Sequence, residues 1–130
     1  MLARLLVVTA LMFPAAAFAD PCVAPLPKPG ATFSGPVRYV GDGDSLCVGT
    51  SADPASWIEV RLEDFYAPEL HDAGGAQAKA ALETITRGRN LACRAGRWSY
   101  DRVVALCTLN GISVGELLRR RGIQQGGRGR

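Results

Sequence analysis

The clearest alternation of apolar and polar positions lies in residues 57–62. Ile58, Val60 and Leu62 fall on one face and Trp57, Glu59 and Arg61 on the other, which predicts a half-buried strand with Arg61 toward solvent. Residues 36–48 alternate in the same way around Gly41-Asp42-Gly43-Asp44, whose glycines suit a tight turn or bulge, with Leu46 and Val48 inward and Cys47 outward. The period then changes. Ala78, Ala81, Leu82 and Ile85 recur at helical spacing, predicting an amphipathic helix over 73–87, capped by Asp72 and stopped by Gly88. Residues 91–94 and 103–109 read as strands flanking a turn region at Gly96, and Asn110-Gly111 is a strong hairpin signal. Ser113-Val114-Gly115-Glu116 is a capping box that opens a last helix through Arg121, stopped by Gly122. Short strands, a helix before the last two of them and a closing helix predict a small closed or nearly closed barrel of the α+β class.

The ends of the chain limit that domain to residues 36–123. Arg4 followed by the apolar run from Leu5 to Phe18 and the small-residue pattern Ala17-Phe18-Ala19 is a signal peptide over 1–19, which predicts export to the periplasm or the medium. No second apolar run follows, so no stable membrane association is expected. Cleavage leaves about 110 of the 130 residues, enough for one core. Residues 20–35 are Pro-rich and aperiodic, an extended lead-in, and the Gly- and Arg-rich residues 124–130 read as a disordered tail. In an oxidising compartment Cys22, Cys47, Cys93 and Cys107 read as two disulfides, and their spacing fits no zinc motif. Of the three pairings, Cys22 with Cys47 and Cys93 with Cys107 is preferred. The first joins the lead-in to an outward strand position, and the second joins expected hairpin neighbours. A net charge of +3 permits nucleic-acid binding without requiring it.

Three segments carry candidate phosphate chemistry: Asp42-Gly43-Asp44-Ser45, Arg61 through Glu69, and Tyr100-Asp101-Arg102. Their order and spacing resemble the staphylococcal nuclease-like (thermonuclease) family from about Val37 to Ile123. That resemblance implies a five-stranded OB-type barrel. It implies Arg61 and Arg102 as phosphate clamps, Glu69 as general base or water-positioning group, Asp44 as a metal ligand, and calcium as the divalent cofactor. Phosphodiester hydrolysis needs such a set: a carboxylate to make water nucleophilic, and guanidinium forks or a hard cation to stabilise the charge that builds on phosphorus.

One position departs from the pattern. Tyr66 stands where the family has a metal-binding aspartate, and a phenol, with a pKa near ~10, is a weak neutral ligand at working pH. Asp64 or Asp42 is a possible compensating ligand. Each residue taken alone also has a plainer role: Asp42 and Asp44 as turn formers, Arg61 and Glu69 as a surface ion pair, Arg102 and Arg119 to Arg121 as solvated cations, Trp57 and Trp98 as packing, and His71 as an inert loop residue. The joint pattern predicts a monomeric, metal-assisted endonuclease acting on DNA or RNA outside the cytoplasm. The alternative is a catalytically weak or inactive barrel that binds nucleic acid or an envelope partner.

Overall fold

The computed structural model describes residues 20–126; residues 1–19, read as a signal peptide, and residues 127–130 of the expected disordered tail lie outside them. Strands β1 (Thr32–Asp42), β2 (Ser45–Gly49), β3 (Trp57–Leu62), β4 (Asn90–Ser99) and β5 (Arg102–Leu109) form a sheet in the order β3-β2-β1-β4-β5. Parallel pairing of Val60–Leu62 with Val103–Ala105 joins the two edges and closes the sheet into a barrel. Closure leaves no open edge between β3 and β5. A two-residue strand β6 (Ile112–Ser113) pairs with the end of β5, and helices α1 (Gly75–Thr86) and α2 (Val114–Arg120) complete an α+β barrel of the OB type.

Alternation along the strands explains the core. Leu46, Val48, Val60, Leu62, Leu91, Val103, Ala105 and Leu109 point inward and meet Ala78, Leu82 and Ile85 of α1 and Val114 and Leu118 of α2. Fully burying one such aliphatic side chain contributes about 1.5–3 kcal/mol, so the barrel interior is the main source of stability.

Several boundaries differ from the sequence pattern. β1 starts at Thr32 because residues 32–36 pair with Asn90–Arg94 of β4, a long-range partner invisible in a local window. Gly96 is not a turn but part of β4, where a Cβ would stand 2.8 Å from the Val104 carbonyl oxygen, and the register there slips between Ala95 and Trp98. The chain instead turns at Tyr100-Asp101, with Tyr100 at φ 58. Helix α1 begins two residues later than expected, and Asp72 does not cap it: Gly74 is the N-cap, at φ 85, and Asp72 receives the Gly75 N–H on its carbonyl. The capping box at Ser113 forms as read, the hydroxyl accepting the Glu116 N–H at 3.1 Å.

Both expected disulfides are present. Cys93–Cys107 links directly paired residues of β4 and β5, and Cys22–Cys47 ties the lead-in to β2. The outward position expected for Cys47 is correct in direction, yet the residue is buried, because the stapled lead-in covers it. The lead-in is fixed further along by Ala24 N–H to the Trp57 carbonyl (3.0 Å), Gly30 N–H to the Ala95 carbonyl (2.7 Å) and the Trp98 indole N–H to the Pro27 carbonyl (2.7 Å). Two disulfides point to an oxidising, exported environment. Among the described residues no helix is long and apolar enough to cross a membrane.

Candidate active site

The Asp42-Gly43-Asp44 turn between β1 and β2 is shaped by packing. A Cβ on Gly43 would stand 2.5 Å from the Ala78 Cβ of α1 and 2.6 Å from the Ala67 Cβ, so only glycine lets the turn lie this close to both. Within it, Asp42 Oδ1 accepts the Asp44 N–H at 3.1 Å and the Ser45 hydroxyl at 2.7 Å. Asp44, 5 % exposed, uses its Oδ2 to accept the Ala67 N–H at 3.0 Å. The same oxygen lies 3.8 Å from Arg61 Nη2, since Ser45 pairs with Arg61 across β2 and β3. The first and second sequence segments therefore meet.

Arg61 was expected on a solvent face. Its side chain is 14 % exposed, because residues 63–69 fold back over β3 and bring Tyr66 against it, with the guanidinium carbon 5.3 Å from the ring centroid. Tyr66 is held in turn by the end of the described chain: its N–H donates to Gln125 Oε1 at 2.9 Å and its carbonyl accepts the Gly126 N–H at 3.1 Å. The start of the residues read as a disordered tail is thus ordered by hydrogen bonds to Tyr66, a contact that composition does not reveal.

Electrostatics separate the two aspartates. Burial, then the neighbouring Asp42 carboxyl, pushes Asp44 up to about 7, against the Ala67 N–H and Arg61. Burial also acts to raise Asp42, but the Asp44 carboxyl, the Ser45 hydroxyl, the Asp44 N–H and the charge of Arg102 hold it below its ordinary value. Two adjacent carboxylates share a proton near neutral pH. Arg102, the first residue of β5, brings the third segment into the same field.

The other expected residues are less tightly engaged. Glu69 is exposed in the segment leading to α1, its carbonyl accepting the Asp72 N–H at 2.9 Å. Asp64 is directed to α2: its carboxylate lies 3.8 Å from Arg119 Nη2 and closes on Gly115, where an added Cβ would sit 2.5 Å from Oδ2. Among the described residues no three Asp, Glu, His or Cys side chains gather as a metal cage. Asp42, by contrast, stands beside Asp44. His71 is exposed. The Trp57 indole donates to the Ser51 carbonyl at 2.8 Å, so both indoles serve the fold.

The local sequence pattern gives no sign of Ala67 as a backbone partner of Asp44, of Gly126 as a backbone partner of Tyr66, or of Glu59 as a buried acid. Glu59 is 4 % exposed on the face assigned to solvent. It pairs with the buried Cys47 in the β2–β3 register, a neighbour that only the fold supplies.

The donor set suits a divalent cation in one respect: two carboxylates lie side by side, one of them pushed up by burial and then by the other, and the pair would gain from a positive charge beside it. Asp42 and Asp44 are the residues that would hold it. No protein-family model matches this chain, and no curated protein matches it.

Proposed function

We propose that the chain is an exported, metal-assisted endonuclease that hydrolyses phosphodiester bonds of DNA or RNA in the periplasm or the external medium. The observation that carries this reading is the meeting of Asp42 and Asp44 with Arg61, within the field of Arg102, from three segments distant in sequence. The resemblance of those segments to the thermonuclease family supplies the reaction class.

In this reading the Arg61 and Arg102 guanidinium groups receive the phosphoryl oxygens and stabilise the charge that develops on them. The Tyr66 ring beside Arg61 limits the directions in which its fork can point. Glu69, exposed and outside the Asp42–Asp44 pair, positions and deprotonates the attacking water. A bound calcium or similar dication would add Lewis-acid polarisation at the phosphoryl group.

A second reading is favoured by Tyr66 itself. With a phenol where a charged ligand would stand, the barrel binds nucleic acid without turning it over. One assay separates the two: incubate the exported chain with single-stranded DNA and with RNA, in calcium, magnesium or manganese, with a chelator control and with Glu69→Gln. Metal-dependent cleavage that disappears in Glu69→Gln supports the nuclease. Salt-sensitive binding with no metal-dependent cleavage supports the binder and overturns the nuclease.

A further inference from the structure

Glu59 belongs to no step of that chemistry, yet it is among the most enclosed acids of the barrel. It is 4 % exposed, and its Oε2 is buried with no hydrogen-bond partner. A buried carboxylate oxygen left in this state costs about 1–3 kcal/mol or more, so a donor for it is expected.

The covalent frame around Glu59 is specific. It pairs with Cys47 across β2 and β3, and Cys47 is bonded to Cys22. Val23 N–H and Ala24 N–H then bond to the Pro54 and Trp57 carbonyls at 3.4 and 3.0 Å, so the lead-in is fixed just beyond the staple. Two residues before Cys22 stands Asp20. Its Oδ1 lies 3.2 Å from where a Cβ on Gly41 would be, and its carboxyl sits beside that of Glu59. Burial, then Asp20, then Asp101, pushes Glu59 up to about 8, while Arg102 opposes them.

Asp20 is also the first residue after the Ala17-Phe18-Ala19 processing pattern. We propose that cleavage of the Ala19–Asp20 bond creates the missing donor: the α-ammonium of Asp20 docks on the Glu59 carboxylate and pins the mature N-terminus to the barrel. Water splits the amide; the Ala19 carbonyl carbon takes its oxygen and leaves as the leader's carboxylate, and the Asp20 nitrogen becomes an ammonium. The amino nitrogen and side-chain carboxyl carbon of one aspartate are about 3–4 Å apart, so the new ammonium lies within one residue's span of a carboxyl that neighbours Glu59. Before cleavage that nitrogen is a neutral amide; after it, it carries a positive charge next to an acidic pair.

The proposal is independent of nuclease activity. It is tested on the chain beginning at Asp20, on the same chain with one glycine added before Asp20, and on Glu59→Gln in both backgrounds. N-terminal sequencing of the exported protein is expected to begin at Asp20; another start overturns the proposal. The unfolding constant at pH 7 is expected to be about tenfold larger for the glycine-extended chain, and the gap to close with Glu59→Gln. A gap of equal size in Glu59→Gln, or none in the wild type, contradicts it. The amine itself gives a readout that a merely structural effect would not move: its pKa, followed by NMR, is expected about one unit above the ordinary ~8 and to fall back in Glu59→Gln. An unshifted amine overturns the proposal.

Discussion

Two acidic pairs in one small barrel meet different fates. Asp42 and Asp44 lie in a glycine turn that feeds them backbone and hydroxyl donors and sets Arg61 against one of them. Glu59 lies against the stapled lead-in that carries Asp20, with an orphaned oxygen, and burial and Asp20 raise it while the charge of Arg102 opposes them. Burial raises an acid in both places. What differs is the cation at hand: Arg61 stands beside Asp44, whereas Glu59 keeps an oxygen with no hydrogen-bond partner, the place proposed above for the Asp20 ammonium.

The largest expected effect falls on the first pair alone. Arg61→Gln should lower nucleic-acid cleavage by about 10²–10³-fold, while Glu59→Gln leaves cleavage unchanged; initial rates on single-stranded DNA check both. Arg61→Leu should in addition destabilise the fold by about 3 kcal/mol in urea unfolding, because Asp44 is then buried beside Asp42 without its guanidinium. Equal losses from Arg61 and Glu59 variants would erase the distinction between the pairs.

Next in size is Tyr66→Asp. A further carboxylate at the position that packs on Arg61, the partner of Asp44, should raise calcium affinity about tenfold or more, read by calorimetry, and the same change should not alter the Asp20 amine.

A smaller effect distinguishes the pairs by pH. In a chain extended before Asp20, Glu59 keeps its proton in the fold from its unfolded value of 4.5 up to about 8. Its contribution is therefore complete below 4.5 and is lost as pH rises through about 8. Comparing thermal unfolding of that chain with Glu59→Gln should show a flattened slope in this window, on the order of 1 kcal/mol after solvent screening. A chain beginning at Asp20 should show less of it. Ser113→Ala is the control, removing the cap of α2 at a cost of about 1 kcal/mol that is the same at every pH.

Much of the scaffold was legible because it rests on local periodicity: the alternation of β3, the helical spacing of Leu82 and Ile85, the Asn110-Gly111 turn and the Ser113 cap all appear within short windows. Both disulfides were legible for a similar reason, since strand parity and hairpin adjacency bring their partners together. The candidate residues Asp44 and Arg61 were legible as motif members, but their burial was not. Arg61 and Glu59 occupy the face that alternation assigns to solvent, and only the return of residues 63–69 and of the stapled lead-in covers it. The strand pairing of residues 32–36 and the hydrogen bonds of Gln125 and Gly126 with Tyr66 join positions far apart in sequence, which no periodicity encodes.

Hydrolysis is best probed at Glu69, because this exposed side chain can be changed without disturbing the buried pairs. The measurement is the initial rate of single-stranded DNA cleavage in calcium for wild type and Glu69→Gln, with chelator as baseline. A wild-type rate above baseline that falls about 10²-fold or more in Glu69→Gln is the predicted result. Rates for wild type and Glu69→Gln that cannot be told apart would rule out Glu69 as the group that activates water.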